Sequence, residues 1–266
     1  MPIHPTALVD PGAHLADDVD IGPWAWIDAR VHLGPGVRVG AHAIIKGPTE
    51  IGAGTRVFHH AVLGEDPQDL KYRGEPSRLV IGAQNVFREF TTVNRGTAHG
   101  GALTRIGDHN LFMAYSHVAH DCQVGSHCVF ANAASLAGHV VIEDHAVIGG
   151  LAGVHQWSRV GRFAMLGAGG MAAQDIPPFT LAQGDRARLF GLNLVGLRRK
   201  GMALPTLQAL KAAYRELFHT GQPLRIALEQ AREVYVDIPE VIELVAFIEG
   251  SRRGVCRSAG AEAGPE

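Results

Sequence analysis

The chain has 266 residues, of which 46% are hydrophobic and 19% charged, and a formal net charge of −2. Its lysine and arginine residues are scattered, which argues against a nucleic-acid partner, because duplex-binding proteins concentrate positive charge on one face. The sequence contains no signal-peptide pattern and no long uninterrupted apolar run, so we expect a cytoplasmic protein with no transmembrane segment.

An aliphatic residue or phenylalanine recurs every six residues through the first two thirds of the chain. At this hydrophobic content, eleven consecutive hits have a chance probability of about 0.0002, and the chain contains two such runs. The grid residues are Ile3, Val9, Leu15, Ile21, Ile27, Leu33, Val39, Ile45, Ile51, Val57 and Leu63, then Ile81, Phe87 and Val93, and finally Ile106, Phe112, Val118, Val124, Phe130, Leu136, Ile142, Ile148, Val154, Val160 and Leu166.

A period of six matches neither an α-helix nor a plain β-strand. It is typical of hexapeptide repeats that form a parallel β-helix, in which each grid residue points into a narrow core. Three hexapeptides per turn make a coil of 18 residues. Residues 18 apart should therefore stack at one strand spacing, about 4.8 Å.

Two interruptions of the grid predict loops that leave the coil. In the first, the grid sites hold Asp69 and Glu75, which cannot face a dry core unpaired. This predicts a polar loop at about 64–80. In the second, the gap between grid residues is 13 rather than 12 and the sequence is rich in glycine, which predicts a loop at about 94–105. Loops on a rigid scaffold often carry function.

The grid ends after Ala172, and apolar residues recur at helical spacing from about Asn193 onward. We therefore predict two domains, a β-helix over 1–190 and a helical domain over 191–266. We expect residues 254–266 to be frayed. The three cysteines show no metal-type spacing and are interpreted as reduced structural thiols.

The 18-residue coil selects one group among the fifteen histidines. It stacks His120, Gly138 and Gln156 along one edge, with His139 and His155 beside them. Histidine can remove a hydroxyl proton near neutral pH, and a glycine N–H can stabilise a tetrahedral oxyanion. This combination suits acyl transfer.

Asp121 and His117 each have two interpretations. Asp121 either orients the ring of His120 or is a solvated surface acid, and the first requires a local bend because consecutive strand residues point in opposite directions. His117 either belongs to the site or is a polar edge residue.

Two charged segments are also ambiguous from the residues alone. Asp69 and Lys71 in the first loop could contact a sugar hydroxyl and a phosphate, or they could belong to an ordinary solvated loop. The cluster Arg198-Arg199-Lys200 is either an anion-binding site or a polar helix face.

Six segments of the chain resemble the UDP-N-acetylglucosamine O-acyltransferase family, which catalyses the first step of lipid A biosynthesis. The resemblance covers essentially the whole chain and implies a left-handed parallel β-helix with a C-terminal helical domain; the handedness does not follow from the period. It also implies a homotrimer with active sites between subunits, and neither a cofactor nor a metal. The segments are Gln68–Pro76, Asn94–Thr97, His117–Cys122, Leu136–Val140, Gly153–Gln156 and Gly191–Asn193.

The resemblance also implies roles for individual residues. His120 matches the family's general base, which deprotonates the glucosamine 3-hydroxyl for attack on the thioester of a 3-hydroxyacyl group on acyl carrier protein, and Gly138 matches the backbone oxyanion donor. The Arg198-Arg199-Lys200 cluster fits the diphosphate or the acidic carrier protein. Positions that bind the nucleotide sugar or the acyl chain in the family are matched by Asp69, Lys71, His117, His139, His155, Gln156, Asn193 and Arg199.

Two residues bear on how closely the chain follows the family. Val195 stands where some members carry an acidic residue, which puts the nucleotide contacts there in question. Ala168 occupies the position that limits the acyl groove, where glycine permits a longer chain and a bulky residue a shorter one. We expect an intermediate or slightly shortened acyl chain.

Other functions remain open from the sequence. Within the family, some relatives acylate a 3-amino sugar and form an amide. A CoA-dependent acetyltransferase is not expected to match the Asp69–Lys71 loop, and the pathway's N-acyltransferase has a domain ahead of its β-helix. A zinc enzyme of the γ-carbonic anhydrase type would use His117 and His120, whose spacing is weak. A scaffold without activity would need no extruded polar loops.

Overall fold

The computed structural model of the chain describes residues 3–258. Their backbone forms a left-handed parallel β-helix followed by four α-helices. The strands, in chain order, are β1 (Leu8–Val9), β2 (His14–Leu15), β3 (Asp20–Ile21), β4 (Trp26–Ile27), β5 (Val31–Leu33), β6 (Arg38–Val39), β7 (Ile44–Ile45), β8 (Thr49–Ile51), β9 (Arg56–Val57), β10 (Val62–Glu65), β11 (Arg78–Ile81), β12 (Val86–Phe87), β13 (Thr92–Asn94), β14 (Leu103–Ile106), β15 (Leu111–Phe112), β16 (His117–Val118), β17 (Gln123–Val124), β18 (Val129–Phe130), β19 (Ser135–Leu136), β20 (Val141–Ile142), β21 (Val147–Ile148), β22 (Gly153–Val154), β23 (Arg159–Val160), β24 (Met165–Leu166), β25 (Met171–Ala172), β26 (Thr180–Gln183) and β27 (Arg188–Leu192).

Every third strand belongs to the same sheet, so three sheets form the sides of the β-helix. One sheet runs from β1 through β4 and β7 to β25, the second from β2 through β5 to β23, and the third from β3 through β6 to β24, where β26 and β27 complete it. Within a sheet, Trp26 pairs with Ile44 and Leu111 with Val129, 18 positions apart in both cases. The predicted coil length is confirmed.

The grid residues from Ile21 to Leu166 form the core of the β-helix, whereas Ile3, in the first coil, is 47% exposed. Phe87, Phe112 and Phe130 stack in its interior with ring centroids 4.7 and 4.6 Å apart. Burying a side chain of this size stabilises the fold by about 1.5–3 kcal/mol. A second buried position, two residues before each grid residue, did not emerge from the sequence. Small residues such as Ala25 and Ala43 fill it, fully buried.

The corners between strands contain residues in the left-handed conformation, three positions after a grid residue. Corner residues of successive coils also stack, so aromatic rings form columns along the edges. One column joins His109, His127, His145 and Phe163, with centroid distances of 4.6–4.9 Å. Several of the histidines therefore have a structural place at the corners.

Two loops project from the coil. Residues 66–77 connect β10 to β11, and residues 95–102 connect β13 to β14 and include a short 3-10 helix, Ala98–Gly100. Arg95 joins the two loops, since its guanidinium donates to the Gly64 carbonyl at 2.6 Å, pairs with Asp66 and lies 3.3 Å from the Tyr72 hydroxyl.

The C-terminal end of the β-helix is closed by an antiparallel hairpin of β26 and β27. The helices that follow are α1 (Leu194–Arg199), α2 (Leu204–His219), α3 (Leu224–Val234) and α4 (Pro239–Glu249). Helix α4 attaches to the β-helix through Arg162, whose Nε donates to Glu243 at 2.8 Å, and through Arg159, which lies 3.9 Å above the Phe247 ring. None of these helices combines the length and hydrophobicity needed to cross a bilayer, in the part of the chain that is described.

The expectation that residue 254 begins a frayed end is wrong for residues 254–258. Val255 forms a bridge with Asp175, and Ser258 forms one with Leu189. The Cys256 N–H also donates to the Asp175 carbonyl at 2.8 Å. The rest of the segment, residues 259–266, lies outside the described residues.

Candidate active site

The site begins at the corner that follows strand β16. Asp121 has a φ of 61°, so the chain turns sharply there and brings its carboxylate back to the neighbouring ring. The Nδ1 atom of His120 lies 2.8 Å from Asp121 Oδ2. The side chain of Asp121 is fully buried, and that of His120 is 8% exposed. The local bend that an orienting Asp121 requires is present.

The Asp121 carboxylate also accepts two hydrogen bonds from Thr97. The Thr97 N–H lies 2.8 Å from Oδ1, and the Thr97 hydroxyl lies 2.6 Å from Oδ2. Burial alone would raise the pKa of Asp121, but the hydrogen bonds from His120 and Thr97 outweigh it and hold the pKa below its usual value. The ionised carboxylate assigns the proton to His120 Nδ1 and leaves Nε2 free to accept one.

Gly138 lies one coil further on, directly against the ring of His120. A Cβ atom at Gly138 would lie 2.5 Å from Cε1 and 2.7 Å from Nε2 of His120, so no other residue fits without moving the ring. The predicted stacking of His120 with Gly138 is confirmed. The Gly138 N–H donates no hydrogen bond within residues 3–258, which leaves it available to a ligand.

An open groove of about 630 Å³ runs past these residues across four successive coils. It contains both polar groups and an apolar stretch. Its lining includes three of the predicted substrate-binding residues, His117, His155 and Gln156, together with His120 and Gly138. The remaining lining residues are Gln68, Ala119, Ser135, Leu136, Ala137, Gly153, Val154, Met171, Ala172, Ala173, Asp185 and Arg186.

His117 and His139 flank the base, and both favour the neutral form. His117 Nδ1 lies 2.7 Å from the Thr92 hydroxyl, and burial, with a smaller contribution from repulsion by His120, lowers the pKa of His117. His139 stacks on Trp157 with centroids 3.8 Å apart. Burial lowers the pKa of His139 although the Asp121 carboxylate opposes the shift.

In the loop at 66–77, the Asp69 carboxylate has partners within the protein, whereas the Lys71 side chain extends into solvent. Asp69 Oδ2 lies 3.2 Å from His99 Nε2. The Lys71 backbone N–H donates to Asp69 Oδ1 at 2.9 Å and is the main reason why the pKa of Asp69 is lowered. The Lys71 side chain is exposed to solvent.

Three of the predicted site residues lie at corners of the β-helix other than that of His120. Asn193 caps helix α1 and donates from Nδ2 to the Phe163 carbonyl at 3.0 Å, which places it at a different corner from His120. Arg199 is exposed in the last turn of α1. Ala168 is exposed just after β24, at the third corner. A single chain does not bring these three residues to His120.

Sequence reasoning missed several residues that support the site. The 18-residue rule could have found Trp157, because it is 18 positions beyond His139. It could not have found Thr97 or His99, because the loop that carries them interrupts the register. Thr104 is a further case, and its hydroxyl accepts from the Asp121 N–H at 2.8 Å.

One cluster within residues 3–258 has the composition of a metal site. His120, Asp121 and His139 offer ligand atoms within 4.8 Å of one another. However, Asp121 Oδ2 already accepts hydrogen bonds from His120 and Thr97, so a metal ion would have to displace the proton that joins His120 to Asp121.

The fold and the site together define a transferase of the hexapeptide-repeat class. A family model for the bacterial transferase hexapeptide (six repeats) matches residues 103–138, and one for domain 2 of UDP-N-acetylglucosamine O-acyltransferase matches residues 175–256. An acyl-[acyl-carrier-protein]–UDP-N-acetylglucosamine O-acyltransferase from Alkalilimnicola ehrlichii is 58% identical over 96% of this chain and 99% of its own. The chain belongs to the UDP-N-acetylglucosamine O-acyltransferase family.

Other members agree in sequence and in fold. The protein of the same name from Thiobacillus denitrificans is 53% identical over 96% of this chain and 99% of its own. The crystal structure of UDP-N-acetylglucosamine O-acyltransferase from Moraxella catarrhalis superimposes with a TM-score of 0.94 and is 39% identical, covering 97% of this chain and 100% of that one. The family resemblance and the predicted fold class are confirmed.

Proposed function

We propose that this chain transfers a 3-hydroxyacyl group from acyl carrier protein to the 3-hydroxyl of UDP-N-acetylglucosamine, the first step of lipid A biosynthesis. Relatives that are 58% and 53% identical over nearly the whole chain carry the name of this reaction. The observation that carries the proposal is the buried His120–Asp121 pair, of which His120 lines the groove together with Gly138. The proposal includes a cytoplasmic location.

In the proposed mechanism, His120 Nε2 removes the proton from the 3-hydroxyl as its oxygen attacks the thioester carbonyl. Asp121 stabilises the imidazolium that forms and keeps the ring in the required tautomer. The carbonyl oxygen becomes a tetrahedral oxyanion, which accepts a hydrogen bond from the Gly138 N–H. Collapse of this intermediate breaks the carbon–sulfur bond, and the carrier thiolate takes the proton from His120.

The groove offers suitable chemistry for both substrates. The apolar stretch formed by Val154, Met171 and Ala172 matches an acyl chain, whose burial is favourable at about 0.8 kcal/mol per methylene. The polar groups of His155 and Gln156 fit the nucleotide sugar. Asp69 and Lys71 approach the same sugar from the loop at 66–77, with His117 and His139 on either side of the reacting hydroxyl.

The remaining predicted residues fit this scheme if the protein is a homotrimer. Asn193, Arg199 and Ala168 lie at corners other than that of His120, and a threefold assembly brings different corners of neighbouring subunits together. In the proposal, a neighbouring subunit supplies these residues. The positive Arg198-Arg199-Lys200 cluster then meets the diphosphate or the acidic carrier protein, while Ala168 limits the acyl groove and Val195 replaces an acidic nucleotide contact.

An acyl-transfer assay tests the proposal. The assay uses 3-hydroxyacyl carrier protein and UDP-N-acetylglucosamine with the wild type, His120→Ala and, as a matched control, His14→Ala. His14 is an exposed histidine on strand β2, in the first coil of the β-helix and far from the groove. We expect His120→Ala to lower kcat about a thousandfold, since general base catalysis contributes about 10²–10⁴-fold, while His14→Ala stays near the wild type. Near-normal turnover by His120→Ala would contradict the assignment of the base.

Variations of this assay, together with elemental analysis, distinguish the remaining alternatives. A 3-amino sugar acceptor that outcompetes the 3-hydroxyl sugar would make the chain an amide-forming relative. Carrier proteins with a series of chain lengths test the expected intermediate preference at Ala168, and a preference for the longest chains would contradict it. Elemental analysis that finds stoichiometric zinc, together with loss of activity on chelation, would favour a metal enzyme instead.

A further inference from the structure

The loop at 95–102 closes over the Asp121 carboxylate. A Cβ atom on Gly100 would lie 2.1 Å from Asp121 Cγ, and one on Gly96 would lie 2.8 Å from Oδ1. Both positions therefore need glycine for the loop to approach the carboxylate so closely. The loop excludes water from Asp121 and leaves Thr97, itself 1% exposed, as the donor on the loop side.

A continuous chain of hydrogen bonds passes through Thr97. Its hydroxyl donates to Asp121 Oδ2 at 2.6 Å and can therefore accept from His99 Nε2, 3.3 Å away. The same His99 nitrogen lies 3.2 Å from Asp69 Oδ2, so its one hydrogen is shared between Thr97 and Asp69. The chain thus leads from Asp69, in the loop at 66–77, to the ring of His120.

We infer that Thr97 is a positioning residue for acyl transfer, which acts through Asp121 on His120, and that His99 connects it to Asp69. The inference rests on the proposed function, because it takes His120 as the base. Thr97 does not face the groove and acts only on the carboxylate. Its hydroxyl shares the negative charge of Asp121, and this sharing controls how strongly Asp121 holds the Nδ1 proton of His120.

The hydroxyl and the backbone of Thr97 can be tested separately. Thr97→Val keeps the side-chain shape and the backbone N–H bond to Oδ1 but removes the donor to Oδ2. The carboxylate then loses one of the bonds that fix its orientation, and the His120 ring that it holds is less well placed for proton removal. We therefore expect kcat to fall about tenfold at an unchanged KM for UDP-N-acetylglucosamine. More negative charge also remains on Asp121 and favours the protonated imidazole, so we expect the acid limb of the kcat/KM profile to move to higher pH.

Two control variants distinguish positioning from general damage to the loop. Thr97→Ser keeps the hydroxyl and should restore kcat and the profile to within about twofold of the wild type. Thr104→Val removes another buried hydroxyl beside Asp121, one that bonds its N–H and not its carboxylate. It should leave the acid limb in place. A loss of kcat in Thr97→Val with no movement of the limb, or the same loss in Thr97→Ser, would overturn the inference.

His99 provides a second pair of variants, since its side chain is 46% exposed and its replacement does not disturb the core. His99→Leu removes the donor shared by Thr97 and Asp69, whereas His99→Gln retains a side-chain N–H. We expect His99→Leu to lower kcat/KM about threefold, the loss of one neutral hydrogen bond, and to move the limb in the same direction, with His99→Gln near the wild type. If the two variants behave alike, His99 does not connect Thr97 to Asp69. This result stands even if Thr97→Val does not fold.

The assay of His120→Ala tests the proposed function separately from the positioning role of Thr97. If His120→Ala retains turnover, the proposed function has the wrong base. If His120→Ala is inactive while Thr97→Val shows wild-type kcat and pH profile, only the positioning role of Thr97 is wrong.

Discussion

His120 and Asp121 are neighbours in the sequence, and in an extended strand their side chains would point to opposite sides. The left-handed conformation of Asp121 removes this difficulty. It costs roughly 1–2 kcal/mol for a residue with a Cβ atom, and hydrogen bonds to Thr97, Thr104 and His120 offset the cost. The Thr104 bond holds the backbone of the turn, whereas the bonds to Thr97 and His120 hold the carboxylate.

Substitution of Gly138 should separate activity from folding. In Gly138→Ala the new Cβ would lie 2.5 Å from the His120 ring, so the ring must turn away from the position in which Nε2 faces the groove. We expect kcat to fall at least about tenfold, because a misplacement of about 1 Å can cost two orders of magnitude. Steady-state kinetics and thermal melting measure the two effects.

A matched control is available at Gly150. A Cβ atom there would meet its nearest neighbour, the Asn132 carbonyl, at 3.4 Å, an ordinary contact. Gly150→Ala should keep the wild-type kcat and melting temperature. If Gly138→Ala also kept the wild-type kcat, the close contact between Gly138 and the base would have no catalytic importance.

At the scale of the elements, the hexapeptide grid predicts the strands and the core because each grid residue faces an environment that only an apolar side chain tolerates. It also predicts the two loops, since Asp69 and Glu75 cannot occupy core positions. Corner residues follow no hydrophobic rule, so the grid does not identify them, although the 18-residue coil does place His109, His127 and His145 in one column. The length of the loop that carries Thr97 does not follow the six-residue period. Its contact with Asp121 therefore depends on tertiary structure and could not be predicted from the repeat.

Buried asparagines interrupt the apolar column two residues before the grid. Asn110 is 1% exposed. Its Oδ1 accepts from the Cys128 N–H at 2.7 Å, and its Nδ2 donates to the Gly125 carbonyl at 2.9 Å. These bonds satisfy backbone groups of the next coil that would otherwise be buried without partners.

We therefore expect Asn110→Ala to lower the free energy of unfolding by about 2–4 kcal/mol, since each unsatisfied buried group costs about 1–3 kcal/mol. Chemical denaturation measures the change. Ser135→Ala, at an exposed strand position, should stay within about 0.5 kcal/mol of the wild type. Equal effects of the two substitutions would show that the asparagine bonds add no stability.

At the scale of the whole molecule, the three corners of the β-helix carry different parts of the proposed site. His120 lies at one, Asn193 and the nearby Arg199 are associated with another, and Ala168 lies at the third. The sequence matched all four residues to one family site, but no property of a single chain explains how they meet. The homotrimer came from the resemblance and stays a prediction.

Subunit mixing tests this arrangement. If each site combines His120 of one subunit with Arg199 of the next, co-expressed His120→Ala and Arg199→Ala chains should regain activity, although each variant alone is inactive. Every mixed trimer keeps both residues intact at one of its three sites. Doubly tagged, purified trimers should therefore show about one third of the wild-type specific activity. Activity no higher than that of the separate variants would place both residues within one subunit's site.

The hairpin of β26 and β27 has a consequence for solubility. A parallel β-helix has no intrinsic end, and its last coil would present unpaired backbone groups to any other chain, as the edge strands of amyloid-forming proteins do. The antiparallel strand β27 and the segment at 254–258 cover part of this edge. We therefore expect the C-terminal part of the chain to hinder end-to-end association of β-helices.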